Sequence, residues 1–125
     1  MSPLKTIIVD DKWLIRSELK FLLSKYPNID VVGEAENAEE AITLISEQKP
    51  DAVFLDIHLP EYSGFDLIDK LNIDCKIIFI SAYNKYRTAA KKYHPIEFLV
   101  KPISAEKLSR TIKKLEKVMA FEGGE

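Results

Sequence analysis

The chain alternates between two kinds of hydrophobic pattern. Five short runs dense in apolar and β-branched residues, "LKTIIV", "DVVGEA", "DAVFLD", "KIIFIS" and "IEFLV", are separated by longer stretches in which apolar positions recur every three or four residues. The short runs predict strands and the longer stretches helices, and their regular alternation predicts a parallel sheet wrapped by helices. The first, third and fourth runs are nearly unbroken, as befits central strands buried on both faces.

The first predicted helix is "KWLIRSELKFLLSK", with Ile15, Leu19, Leu22 and Leu23 at helical spacing and Pro27 as its stop. The second, "AEEAITLISEQ", follows Asn37 as N-cap and should bury Ala41, Leu44 and Ile45. A third is expected from about Gly64 to Leu71, a fourth from about Lys85 to Lys92, and a fifth from Ser104 onward. In "SAEKL" a capping hydroxyl precedes Glu106 in the first turn. Residues 1–120 read as one domain without internal repeats, and 121–125 as a tail or the start of a linker.

Composition narrows the function classes. At 125 residues, 46% of them hydrophobic, the chain suits a single domain with a sizeable core. A net charge of -2 on nearly balanced acids and bases provides no overall field toward nucleic acid or anionic lipid. Cys75 is the only cysteine, which rules out an internal disulfide, and His58 and His94 stand at no familiar zinc spacing from it. "MSPLKTIIVDD" reaches two acids too soon for a secretory signal or a membrane span, so a cytoplasmic location is expected.

The candidate chemistry lies where the strands end. "IIVDD" ends on Asp10 and Asp11, "VFLD" on Asp56, "IIFIS" on Ser81, and Lys101 follows "EFLV". In an open parallel sheet these C-terminal ends share one edge, where such folds place their ligands. Two carboxylate charges about 5 Å apart repel by roughly 3 kcal/mol at an effective dielectric near 20. A hard, oxygen-seeking divalent cation relieves that repulsion, and Mg²⁺ suits a site where a phosphoryl group completes the coordination. The carboxylate on the middle strand is then suited to accept a phosphoryl group as an aspartyl phosphate. Lys101 would offset charge on the phosphoryl oxygens, and Ser81 could donate a hydrogen bond to one of them.

"VDD", "FLDIHLPEYSG", "ISAY" and "LVKPI" appear in the order and spacing of one family, and from about Leu4 to Met119 the chain resembles the receiver domain of two-component response regulators. The resemblance implies a CheY-like α/β fold, with five parallel strands in the order 2-1-3-4-5 and helices on both faces. It implies a phosphoacceptor signalling domain rather than an enzyme with a separate substrate. Asp56 would be the phosphorylated residue, Asp11 a direct Mg²⁺ ligand, and Asp10 an acid acting through water. His58 would offer its backbone carbonyl to the metal, and Lys101 would be the active-site lysine before a cis Pro102.

Ser81 and Phe98 take the switch positions. By resemblance, phosphorylation draws Ser81 toward the phosphoryl group, and Phe98 swings inward to reshape the surface of the fourth helix, fifth strand and fifth helix. The implied partners are a sensor histidine kinase and, through that surface, a second copy of the chain. "SAYNKYRTAAKKYHPIEFLVKPI" is similar to receivers joined to LytTR-type DNA-binding domains, so transcription would be controlled through a C-terminal domain outside these residues. Neither nucleic acid nor membrane is an expected partner of this domain itself. Two departures stand out: Phe98 lacks the hydroxyl of a tyrosine, and Lys12 replaces an acid common in relatives.

Other readings compete. A magnesium-dependent phosphohydrolase would need a general acid where His58 stands. A flavin- or nucleotide-binding module would need a phosphate loop after the first strand, where "DDKW" repels phosphate. A degenerate receiver would act only by binding proteins. Residue by residue, Asp11 could simply cap the first helix. His94 reads as a helix-end residue, Trp13 as packing or partly exposed surface, and Cys75 as packing. Tyr83, Tyr86 and Tyr93 read as a stripe shielding the sheet.

Overall fold

The computed structural model describes residues 2–71 and 74–122. Five strands run β1 Leu4–Val9, β2 Ile29–Ala35, β3 Ala52–Asp56, β4 Lys76–Ser81 and β5 Glu97–Val100. They form one parallel sheet in the order β2-β1-β3-β4-β5, as expected. The helices are α1 Trp13–Leu23, α2 Ala38–Gln48, α3 Gly64–Lys70, α4 Arg87–Ala90 and α5 Ala105–Glu122.

Side-chain alternation along the strands feeds two cores. Ile8, Ala52, Phe54, Ile78, Ile80 and Leu99 point to one face, where Leu19 and Leu23 of α1 and Leu108, Ile112 and Leu115 of α5 cover them. Ile7, Val9, Val53, Leu55, Phe79 and Phe98 point to the other, beneath Ala38, Ala41 and Ile45 of α2, Leu67 of α3 and Ala90 of α4. All five residues of β3 are buried, which explains why its sequence shows no alternation.

Local chemistry sets several boundaries. The Asn37 side chain accepts a hydrogen bond from Glu40 N at 2.8 Å and starts α2 where expected. Ser63 and Asp66 form a reciprocal capping box on α3. Ser104 Oγ accepts from Lys107 N at 3.1 Å at the start of α5. Leu44 is half-buried rather than buried, because its Cδ atoms lie over Gly33 at the sheet margin.

Three expectations change. The fourth helix is not continuous from 85 to 92: single 3₁₀ turns at Asn84–Tyr86 and Lys91–Tyr93 flank only four α-helical residues. Ala90 is the one fully buried side chain of that segment, too little apolar contact to sustain a longer helix. The last helix runs past the limit expected at residue 120. Helix α5 continues through Phe121 and Glu122, with Glu122 Oε2 2.6 Å from Lys76 Nζ, while 123–125 of the expected tail lie outside the described residues. Asp11 does not cap α1, whose N-cap Lys12 has no side-chain cap; Lys12 N instead donates to Asp10 Oδ1 at 2.9 Å. No helix among the described residues is long and apolar enough to cross a membrane.

Candidate functional site

The C-terminal ends of β1 and β3 bring Asp10, Asp11 and Asp56 together, each with a carboxylate oxygen within 4.8 Å of the others. Successive residues at a strand end point in different directions, and the environments of the two neighbouring acids differ accordingly. Asp10 is fully buried, whereas the Asp11 side chain is 31% exposed and meets Lys12 Nζ at 3.4 Å. Asp10 N donates to Ala35 O across the ladder at 3.1 Å.

Lys101 reaches into this group from the end of β5. Its ammonium lies 2.7 Å from Asp10 Oδ2 and 3.3 Å from Asp56 Oδ2, and the side chain is largely buried. Burial alone would lower the lysine's pKa, but the close contact with Asp10 and the charges of Asp56 and Asp10 together hold it above its ordinary value. The Lys101–Pro102 peptide bond is cis.

Asp56 is buried and its Oδ1 accepts from His58 N at 3.1 Å. Burial first and the Asp10 charge second push its carboxyl up to about 6, against the opposing pull of Lys101 and the His58 amide. Gly64 explains how the chain turns so tightly beyond it. A Cβ there would stand 2.6 Å from the Asp56 carbonyl oxygen, and Gly64 N donates to Ile57 O at 2.7 Å.

Two lysines, the largely buried Lys101 and the exposed Lys12, face three acids, so the cluster retains a cation deficit. Asp10 Oδ2 is buried with no aligned hydrogen-bond partner; its close approach to Lys101 is an ion pair of poor hydrogen-bond angle. An all-oxygen donor set with a buried, under-coordinated carboxylate fits a hard divalent cation.

Ser81 and His58 are placed less directly. Lys101 N donates to Ser81 O at 2.8 Å, which sets the two residues side by side. The Ser81 hydroxyl, however, is engaged in its own loop: Oγ donates to Tyr83 O at 3.1 Å and accepts from Tyr83 N at 3.0 Å. The His58 ring projects outward and meets Tyr83 and Tyr86 edge-on, with ring centroids 5.4 and 4.8 Å away, while Lys85 lies over both tyrosines. Tyr83 is therefore a rim residue rather than a shield for the sheet, whereas Tyr93 does pack against Phe65 and Phe79.

Phe98 lies at 5% exposure in the core beneath α4, with the Arg87 guanidinium 5.0 Å from its ring centroid. The aromatic expected to swing inward already points inward. Trp13 is 70% exposed, and His94 ends the second 3₁₀ turn in the left-handed region at φ 50°. Burial pushes the Cys75 thiol up to about 11, with Asp74 and Asp51 adding to the effect, so it packs as an uncharged side chain.

Two residues of the site's surroundings gave no sequence signal. Arg16 Nη1 donates to the Asp10 carbonyl at 2.7 Å, and its Nε to Glu34 Oε1 at 3.1 Å. Eighteen residues separate that pair, so no local spacing announces it.

Comparison with known proteins agrees with this architecture. The response regulator receiver domain profile matches residues 6–113. An uncharacterized response regulatory protein of Shewanella oneidensis is 41% identical over 113 residues, 89% of this chain and 48% of the relative. The sensory transduction protein LytT of Enterococcus faecalis is 40% identical over 116 residues, 90% of this chain and 48% of the relative. The chain thus spans about half the length of the curated relatives it matches. Among solved structures, the REC domain of AraT, a response regulator from Geobacillus stearothermophilus, has a TM-score of 0.82 at 29% identity, covering 95% of this chain and 98% of that one. The signal receiver domain of a putative Luxo repressor protein from Vibrio parahaemolyticus shares the fold, with a TM-score of 0.86 at 24% identity and 98% of each chain covered. The profile match spans all of the sheet but the first two residues of β1, together with every member of the acidic cluster, and the chain belongs to the response regulator receiver domain family of two-component systems.

Proposed function

We propose that this receiver domain accepts a phosphoryl group on Asp56 from a histidine kinase in a Mg²⁺-dependent reaction and relays the event through α4, β5 and α5. The observation that carries this reading is the convergence of Asp10, Asp11 and Asp56 within 4.8 Å, with Lys101 paired to two of them. Asp10, Asp11 and Asp56, with the backbone carbonyl of His58, would hold the cation. Bound there, Mg²⁺ would neutralise charge on the carboxylates and on the phosphoryl oxygens.

A carboxylate oxygen of Asp56 attacks phosphorus as the phosphorus–nitrogen bond of the donor phosphohistidine breaks. The bonding pair leaves on the imidazole nitrogen, which then takes a proton. Lys101 balances charge on the transferred group, and the backbone amide of His58 orients Asp56 through Oδ1.

The relay requires Ser81 to exchange its bonds with Tyr83 for one to the phosphoryl group, which moves the loop into α4. Phe98 is already buried, so on this reading its response is a repacking against Arg87. LytT of Enterococcus faecalis is named for sensory transduction and BtsR of Salmonella typhi for transcriptional regulation. Their similarity supports an output in transcription, through sequence beyond the matched half of such proteins, and a setting in the cytoplasm.

Intact-mass measurement with a small phosphodonor tests the proposal. One phosphoryl group should be added in Mg²⁺, none in EDTA, and none to Asp56→Asn. Lys101→Ala should retain labelling but couple weakly to any change in size or surface. Mg²⁺-dependent labelling of folded Asp56→Asn would overturn the site assignment, and no labelling of folded wild type would favour a module that works by protein binding alone.

A further inference from the structure

The β1–α1 turn that presents Asp10 and Asp11 is secured from outside the acidic cluster. At the end of β1 the Asp10 amide is held by the ladder, but its carbonyl enters a turn where no strand continues to pair it. Arg16, in the first turns of α1, supplies the partner through Nη1. The same guanidinium is gripped by Glu34, which sits opposite Ile8 in the β1–β2 register. Lys20, one helical turn further along α1, places Nζ 2.6 Å from the other Glu34 oxygen.

The arrangement ties both backbone polar groups of Asp10 to β2, the N–H through Ala35 O and the carbonyl through Arg16 on Glu34. The Arg16 side chain is only 14% exposed, unlike the half-exposed Lys20. The hydrogen bond from Lys20, with the one from Arg16, holds the Glu34 carboxyl below its ordinary pKa despite opposing burial, so the anchor is anionic at neutral pH. A planar guanidinium can serve a carbonyl and a carboxylate at once in fixed geometry; a lysine ammonium cannot reproduce that fork.

We infer that Arg16, locked by Glu34, is a positioning residue of the metal site: it fixes the Asp10 carbonyl and thereby the turn that sets two repelling carboxylates against Asp56. The inference rests on the reading that this cluster takes Mg²⁺. Outer partners of this kind typically govern metal affinity by about 10- to 100-fold.

The test is calorimetric titration of the whole chain with Mg²⁺, beside metal-free thermal unfolding, for wild type, Arg16→Met, Arg16→Lys, Glu34→Gln and the double variant Arg16→Met with Glu34→Gln. Arg16→Met should bind Mg²⁺ about tenfold more weakly, at the low end of that range. Arg16→Lys and Glu34→Gln should fall between it and wild type. The double variant should bind no more weakly than Arg16→Met, because Glu34 acts through Arg16. If Arg16→Met fails to fold, the Arg16→Lys and Glu34→Gln losses decide the matter. Variants that melt earlier yet bind Mg²⁺ as wild type does would overturn the inference and leave the reading of the site intact. A wild type that takes up no Mg²⁺, in a sample shown to be folded, would overturn both.

Discussion

Asp10 and Asp56 leave their strands into turns tied down by backbone contacts: the Asp10 carbonyl under Arg16, the Asp56 carbonyl against Gly64, and an Asp side chain accepting an amide two residues ahead in each. Ser81 leaves β4 into a different kind of segment. Its hydroxyl bonds only within its own loop, Tyr83 beyond it is exposed, and α4 is a four-residue helix between 3₁₀ turns. The acidic side is preorganised at the expense of charge repulsion, and the hydroxyl side is held by bonds that a better acceptor could replace. A site that must gather repelling charges needs the first, and a switch needs the second.

The largest effect is expected where the acidic side tolerates least. Gly64→Ala sets a Cβ 2.6 Å from the Asp56 carbonyl oxygen, and neither that backbone nor Ile57 Cα nearby can yield without shifting the loop. We expect a loss of about 3 kcal/mol in chemical denaturation, at the upper end of overpacking costs. Gly33→Ala is the control. Its Cβ would come within 2.7 Å of Leu44 Cδ2, the far end of a flexible side chain, so a clearly smaller loss is expected. Equal losses would dissolve the contrast between a rigid turn and a forgiving one.

The cost of ionising a buried carboxyl beside Asp10 gives the next effect, with the opposite sign. The Asp56 carboxyl is raised from 3.8 to about 6 in the fold. Between those values the folded protein keeps a proton that the unfolded chain has released, so stability falls as pH rises through the window, and the penalty is complete above it. Asp56→Asn escapes the penalty. Without metal it should be more stable than wild type by about 2 kcal/mol at pH 7, and the advantage should vanish near pH 4. Thermal unfolding at both pH values checks this, and a gain that persists in acid would mean that ionisation of the buried Asp56 is not its source.

The smallest effect belongs to the exchangeable side. Ser81→Ala removes one buried hydroxyl whose two bonds both go to the backbone of Tyr83, itself an exposed residue. A cost of about 1 kcal/mol is expected, with Mg²⁺ affinity within about twofold of wild type. A much larger loss of stability would show the Ser81 loop to be as rigid as the turns across the sheet.

Much of the architecture was legible because it depends on local periodicity. The limits of β1, β4 and α2 match the runs "LKTIIV", "KIIFIS" and "AEEAITLISEQ", and Asn37 announced its own cap. The fourth helix misled because "KYRTAAKK" has adequate helix propensity, yet only Ala90 is fully buried in the core and Tyr86 packs at its margin. Asp10 and Asp11 are identical in type and adjacent in sequence, but only the fold buries one and leaves the other partly exposed.

The order of strands and helices, and the types of side chain delivered to the strand ends, follow from the linear chain, since apolar period and turn chemistry are properties of short stretches. Pairing among those groups emerges only once the sheet has assembled: Lys101 with Asp10 and Asp56, the Ser81 hydroxyl with Tyr83, and Arg16 with both the Asp10 carbonyl and Glu34. Hydrogen bonds and ion pairs depend on distance and angle across the sheet, and a linear pattern carries neither.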